Sequence, residues 1–249
     1  MPRSLILCPR IIDPLPHISH CFIFCILLNN TNNVKYKYPL DEITPKIFLY
    51  LVIVLSVVIH EYSHAFVANE LGDPTAKNAG RLTLNPIKHI DPIGTVLIPL
   101  FLMLTSGTFF GWAKPVPFNP NNVRDPKGEL KIAFGGPVAN FALAGMVSLG
   151  FLVMRLIHPA ISGNEILVSL TVTVIYVNIF LALFNLIPIP PLDGSKILAH
   201  FLPYRARESF LSIGFIGIIG ALIVAMMILP PIAGVVFDIL TGFGYVFGQ

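Results

Sequence analysis

The sequence predicts an all-α, polytopic membrane helix bundle of about four to six spans, and three observations lead there. Of 249 residues, 55% are hydrophobic and only 12% charged, about half the charged share of a soluble domain. Mean hydropathy is +0.78, too high for a globule that must cover itself with polar groups. The apolar residues also run in stretches near the ~20 residues a helix needs to cross a bilayer, and proline and glycine clusters separate these stretches. With 16 Lys+Arg against 13 Asp+Glu the net charge is +3, and no basic face suits a nucleic acid partner.

Residues 1–45 read as a poorly defined tail and 46–249 as the membrane-embedded domain. Cys8, Cys21 and Cys25 leave one thiol over in any pairing, which excludes a disulfide scaffold. With His17 and His20 they match no zinc module, and Pro2, Pro9, Pro14 and Pro16 interrupt any element there. Pro45 suits a first helical turn. After it, 46–68 is apolar except for His60-Glu61-Tyr62-Ser63-His64. Gly72-Asp73-Pro74 marks a turn, and Gly80–Leu84 alternates like a short strand whose edge could receive an extended peptide. Residues 93–110 are apolar but carry Gly94, Pro99 and Gly107, at the lower length limit for a span. Four prolines make 111–128 an extended loop.

Helices then cover about 130–157 and 166–187. The second ends in NLIPIPPLDG, Asn185 to Gly194, where the prolines break the helix; such backbone at membrane depth requires protein or water around it. A last span is expected over about 210–229, stopping at Pro230-Pro231, with Asp238 in an interfacial piece beyond. Small residues four apart, Gly136, Asn140, Ala144 and Ser148, then Gly217, Ala221 and Ala225, read as ordinary close helix packing, with Asn140 the exception on its stripe.

The chemistry concentrates in HEYSH. Residues four apart on a helix lie one turn above each other, so His60 and His64 can take two corners of a tetrahedral metal while Glu61 leans toward an attacking water. Ionisable groups inside an apolar helix are costly and mark function. A catalytic zinc needs a third protein ligand. Glu70 lies near the helix end and reads as a solvated charge, which leaves Asp193, beside the broken helix, as the candidate; its alternative role is N-cap of a helix starting near Ser195.

HEYSH in one membrane helix, GGPVAN in a later one and NLIPIPPLDG after the next resemble the site-2 protease family of intramembrane zinc metalloproteases, in a compact form with no PDZ-like or CBS-like insertion. The resemblance covers about residues 46–205. It implies one Zn²⁺ per chain held by His60, His64 and Asp193, Glu61 as general base, and Asn185 binding the substrate strand or the developing oxyanion, with Asn140 as a second polar group of the core. It also implies a transmembrane protein substrate met within or beside the lipid bilayer.

A crossing by 93–110 would put Asp193 and His64 on opposite membrane faces, so this segment is expected to be re-entrant or to lie along the membrane. Loops 70–131 and 188–208 then share a side and hold Lys77, Arg81, Lys88, Lys114, Arg124, Lys127, Lys131, Lys196, Arg205 and Arg207, while beyond the tail the other side has Lys46 and Arg155; Arg3, Arg10, Lys35 and Lys37 of the tail argue the other way and are set aside with it. The positive-inside rule places that side, and the active site, toward the cytoplasm of a plasma-membrane protein. Two rival functions are a metal-ion transporter, which needs ligands at successive depths, and a non-catalytic membrane chaperone, which needs no metal.

Overall fold

The computed structural model describes residues 43–105, 111 and 113–242, so the reading of the cysteine-bearing tail lies outside the described residues. Among the described residues, four helices are long and apolar enough to cross a membrane: α1 (Ile43–Glu70), α4 (Gly128–Ile157), α5 (Glu165–Asn185) and α8 (Gly217–Thr241). Between them lie the short helices α2 (Thr75–Asn78), α3 (Ile98–Thr105), α6 (Asp193–Ala199) and α7 (Tyr204–Leu211). Helix α4 is central and packs on α1, α5, α6 and α8.

The central position of α4 follows from its small residues. Gly136, Asn140, Ala144 and Ser148 are all buried, and a Cβ on Gly135 would sit 3.2 Å from the Ser63 carbonyl oxygen, so the α1 and α4 backbones approach closely. Gly217, Ala221 and Ala225 are likewise buried along α8. Around these seams the core is made by Ile175, Val177, Ile179 and Phe180 of α5 with Leu229, Ala233 and Phe237 of α8. The outward faces carry exposed Leu51, Leu55, Met146, Leu149, Ile223 and Met227, as surfaces that meet lipid should.

The segment from His89 to Lys114 leaves the bundle and returns to the same place. The Lys114 N–H donates to the His89 carbonyl at 3.1 Å, and a Cβ on Gly111 would lie 2.8 Å from Pro99 Cγ. Its apolar helix, Pro92–Leu102, is too short to cross about 30 Å of hydrocarbon. A hydrogen bond of 2.8 Å from the Tyr50 hydroxyl to the Thr95 carbonyl ties it to α1. The described part of the segment therefore holds no helix long enough to cross, as either a re-entrant course or one along the membrane requires.

Two expectations are corrected. The last span is not 210–229: α8 starts at Gly217, because Gly214 at φ +54° turns the chain out of α7, and it runs through Pro230 and Pro231 to Thr241. Pro230 and Pro231 each remove one helical N–H bond and crowd the carbonyl four residues back, yet the helix continues with Leu229 and Ala233 buried on either side, so Asp238 lies within it. No strand forms over 80–84 either. Gly80 sits at φ +67°, and buried Arg81 donates to the Lys88 carbonyl, which bends the segment onto itself; no strand is present among the described residues.

Candidate metal centre

Three elements bring the expected donors together. His60 and His64 are one turn apart on α1, and Asp193 opens α6 behind the broken end of α5. The helix α5 stops at Asn185 because Pro188, Pro190 and Pro191 supply no N–H, and the turn closes on Gly194, where a Cβ would lie 2.5 Å from the Ile187 carbonyl oxygen. Only glycine permits that approach. Leu192, not Asp193, is the N-cap of α6, so the Asp193 carboxylate is free to face α1.

Asp193 Oδ2 lies 3.1 Å from His60 Nε2 and 2.9 Å from His64 Nε2, and the two Nε2 atoms are 3.0 Å apart. These edges approach the ~3.3 Å between donors at ~2.0–2.1 Å around a tetrahedral ion. The opposite ring nitrogens explain what the triangle needs. His60 Nδ1 is 2.6 Å from Asn140 Oδ1 and His64 Nδ1 is 2.6 Å from the Ile132 carbonyl oxygen. Both Nδ1 atoms are thus placed to donate their protons, the arrangement that in a neutral imidazole leaves Nε2 available to a metal. The carboxylate oxygen and the two Nε2 atoms, all within 3.1 Å of one another, form a cluster that a shared proton or a metal cation would satisfy. Among the described residues, His60, His64 and Asp193 are the group able to hold a metal ion.

Helix α4 shapes the site from behind. A Cβ on Gly136 would lie 2.5 Å from His64 Nε2 and closer still to His60 Nε2, so this glycine makes the room in which the imidazoles stand. Packing alone, the reading its spacing invited, understates it. Pro137 leaves the Ala133 carbonyl without its helical donor and loosens the turn next to Ile132, whose carbonyl accepts from His64.

A cavity of about 140 Å³ opens beside the triangle, lined by Glu61, Pro115, Val116, Phe118, Asn185 and Lys196 among others. The backbone N–H of Val116 donates to Glu61 Oε2 at 2.9 Å, which holds the carboxylate at the cavity wall and leaves its other oxygen uncommitted. Residues 113–119 form an extended strap, fixed at one end by His89 and at the other by Asp73. Buried Asp73 accepts from Asn119 N at 2.6 Å, from Asn122 Nδ2 at 2.9 Å and from Thr75. Burial opposes ionisation of Asp73, but these bonds outweigh it and hold its carboxyl below the ordinary carboxylate range.

Of the expected site residues, His60, Glu61, His64, Asp193 and Asn185 meet at this cavity. Asn185 turns one amide hydrogen back to the Leu181 carbonyl at 3.0 Å. Asn140 does not reach the cavity: it is wholly buried behind His60. Two residues that the sequence reading passed over stand with it, Ser56 and Asn178, and the signal for Asn178 was its place as a lone amide in an apolar helix. Lys196 was read only as loop charge, yet its Nζ lies 2.9 Å from Asp193 Oδ1, the oxygen turned away from the histidines.

Comparison with known proteins agrees with this geometry. A family model described as peptidase family M50 matches residues 153–230. YwhC of Bacillus subtilis, provisionally named a zinc metalloprotease, is 40% identical over 190 residues, covering 72% of this chain and 80% of YwhC. The chain belongs to peptidase family M50, the site-2 protease family. Two further relatives match at lower identity. Rip2 of Mycolicibacterium smegmatis, named with the same proviso, is 31% identical over 158 residues, 61% of this chain and 57% of Rip2. Zinc metalloprotease MJ0392 of Methanocaldococcus jannaschii is 29% identical over 155 residues, 62% of this chain but only 34% of its own length. No solved structure matches the chain.

Proposed function

We propose that this M50 protein is an intramembrane zinc peptidase that hydrolyses peptide bonds of transmembrane protein substrates, multi-pass in the plasma membrane with its active site toward the cytoplasm. The observation that carries the reading is the convergence of two Nε2 atoms and a carboxylate oxygen at 2.9–3.1 Å beside a carboxylate, Glu61, held on the wall of one cavity.

When bound by His60, His64 and Asp193, zinc supplies Lewis acidity to the scissile carbonyl and acidifies water near neutral pH. Glu61 takes a proton from the attacking water and returns it to the leaving amine nitrogen. Its Val116 hydrogen bond orients the carboxylate for both transfers. Asn185, with an amide hydrogen to spare, is the side chain suited to the developing oxyanion. A substrate helix must unwind before its carbonyl can enter, because helical hydrogen bonds cover it. The cytoplasmic orientation rests on the ten cations of loops 70–131 and 188–208 against Lys46 and Arg155 on the other side, the tail being set aside.

Against a transporter stands the single depth of the ligands; a chaperone would have no use for two Nε2 atoms and a carboxylate oxygen in a buried triangle. Metal analysis and cleavage of a membrane-anchored reporter decide among the three. Wild type should hold one zinc per chain and cleave, Glu61→Gln should hold zinc without cleaving, and Asp193→Ala should lose both. Cleavage by Glu61→Gln, or an unchanged zinc content in Asp193→Ala, would overturn the assignment.

A further inference from the structure

Behind His60 lies a closed polar chain in the otherwise apolar core. Asn140 and Asn178 are fully buried and Ser56 nearly so. Asn178 Nδ2 donates to Ser56 Oγ at 3.0 Å and to the Val174 carbonyl at 2.8 Å, which spends both of its hydrogens. Its Oδ1 therefore faces α4, where it accepts from Asn140 Nδ2 at 2.8 Å. The second hydrogen of Asn140 Nδ2 goes to the Ser56 carbonyl at 3.2 Å. With both hydrogens placed, the oxygen of Asn140 is the atom left for His60 Nδ1. The hydrogen-bond network thus assigns both amide orientations; turning Asn178 over would set its oxygen against the Val174 carbonyl.

We propose that Asn178, which touches no metal-binding atom, is a positioning residue for the metal centre: it fixes the facing of the Asn140 amide, and through it the tautomer of His60. The inference rests on the reading of His60, His64 and Asp193 as metal ligands. Without the Asn178 oxygen, Asn140 is free to rotate and present Nδ2 to His60. The imidazole then keeps its proton on Nε2, the nitrogen a metal needs bare. Residues behind metal-binding histidines characteristically affect affinity by about 10–100-fold, and Asn178 lies one residue further back.

The test measures zinc affinity of the full chain in detergent micelles by chelator competition. Asn178→Leu preserves bulk and should weaken zinc by about tenfold. In an Asn140→Asp background, either carboxylate oxygen accepts from His60 whichever way the group turns, so adding Asn178→Leu should change affinity less than about threefold. Zinc held within threefold of wild type by Asn178→Leu, or an equal loss in both backgrounds, would overturn the proposal, since a packing role is not rescued at position 140. A second measurement needs no variant: ¹⁵N spectra of histidine-labelled, metal-free wild type should show His60 protonated on Nδ1, and a proton on Nε2 would overturn it. If wild type itself binds no zinc, the proposed function falls while the His60 tautomer still decides this inference.

Discussion

Gly136→Ala puts a single methyl group where the two imidazoles stand. The added Cβ would lie 2.5 Å from His64 Nε2, while ordinary contact begins at 3.4 Å, so a ring has to retreat by about 0.9 Å. The rings have little freedom to do so, because each is held from its far nitrogen at 2.6 Å. Metal–donor distances tolerate only about 0.2 Å, and a misplacement near 1 Å costs on the order of 100-fold in turnover. Overpacking of this kind costs about 1–3 kcal/mol in stability, which leaves a folded protein. Gly145→Ala on the same helix is the control, for a Cβ there meets nothing within 4 Å and removing a helical glycine gains up to about 1 kcal/mol. Zinc content, reporter cleavage and thermal melting of both variants make the assay. Gly136→Ala should lose zinc and about 100-fold in cleavage while still melting cooperatively; wild-type zinc and cleavage in this variant would refute the account of how the site is built.

Lys196→Ala removes the partner of Asp193 Oδ1. The lysine side chain is 43% exposed, so solvent weakens the pair and zinc affinity should fall only about three- to tenfold, with Lys196→Arg close to wild type by chelator competition. Asp73→Asn should release the strap, seen as faster proteolysis within 113–122. The pH dependence has a definite sign: the folded Asp73 carboxyl titrates below its unfolded value of about 3.9, so its contribution is whole above that pH and is lost as pH falls through the folded value. Protection of the strap in wild type should therefore fade only below about pH 4, and should not vary over that range in Asp73→Asn. Cysteine-labelling should place Lys127→Cys on the cytoplasmic side and Ser162→Cys on the other; the reverse pattern would invert the proposed orientation.

The sequence was legible where a residue's cost in lipid exceeds any structural use for it. His60, Glu61 and His64 stand out for that reason, and Asp193 because proline-broken backbone marks a place that lipid cannot cover. The long helices are within a few residues of expectation, apart from α8. Its prolines were read as a stop, yet the 25-residue helix runs through them with apolar residues buried on both sides, so its packing outweighs their lost hydrogen bonds and crowding. What could not be read depends on register between distant segments. Gly136 faces the histidines only because α4 runs against α1 in one particular register, and the Val116 N–H reaches Glu61 across 55 positions. The alternation of Gly80–Leu84 failed because local turns at Gly80 and Arg81 outcompeted a strand that had no partner.

The loss of that strand bears on how a substrate is held. Both walls of the cavity are poor in backbone donors. In the strap, the N–H groups of Lys114, Val116 and Asn119 are committed and Pro115 and Pro117 have none, which leaves Ala113 and Phe118. In the turn, Leu186, Ile187, Ile189 and Leu192 donate internally, and Pro188, Pro190 and Pro191 cannot donate. An edge that receives a peptide strand has to offer donors at alternate positions, and neither wall does. Under the proposed function, recognition of an unwound substrate would fall to side chains, chiefly Asn185 and Lys196 on the cavity wall. Asn185→Leu, which retains bulk and removes the amide, should leave zinc content unchanged and lower kcat about 100- to 1,000-fold, the loss expected for one oxyanion donor, with KM moving far less. A rise in KM at unchanged kcat would assign Asn185 to holding the substrate in its ground state, and cleavage at the wild-type rate would return the search for donors to the backbone.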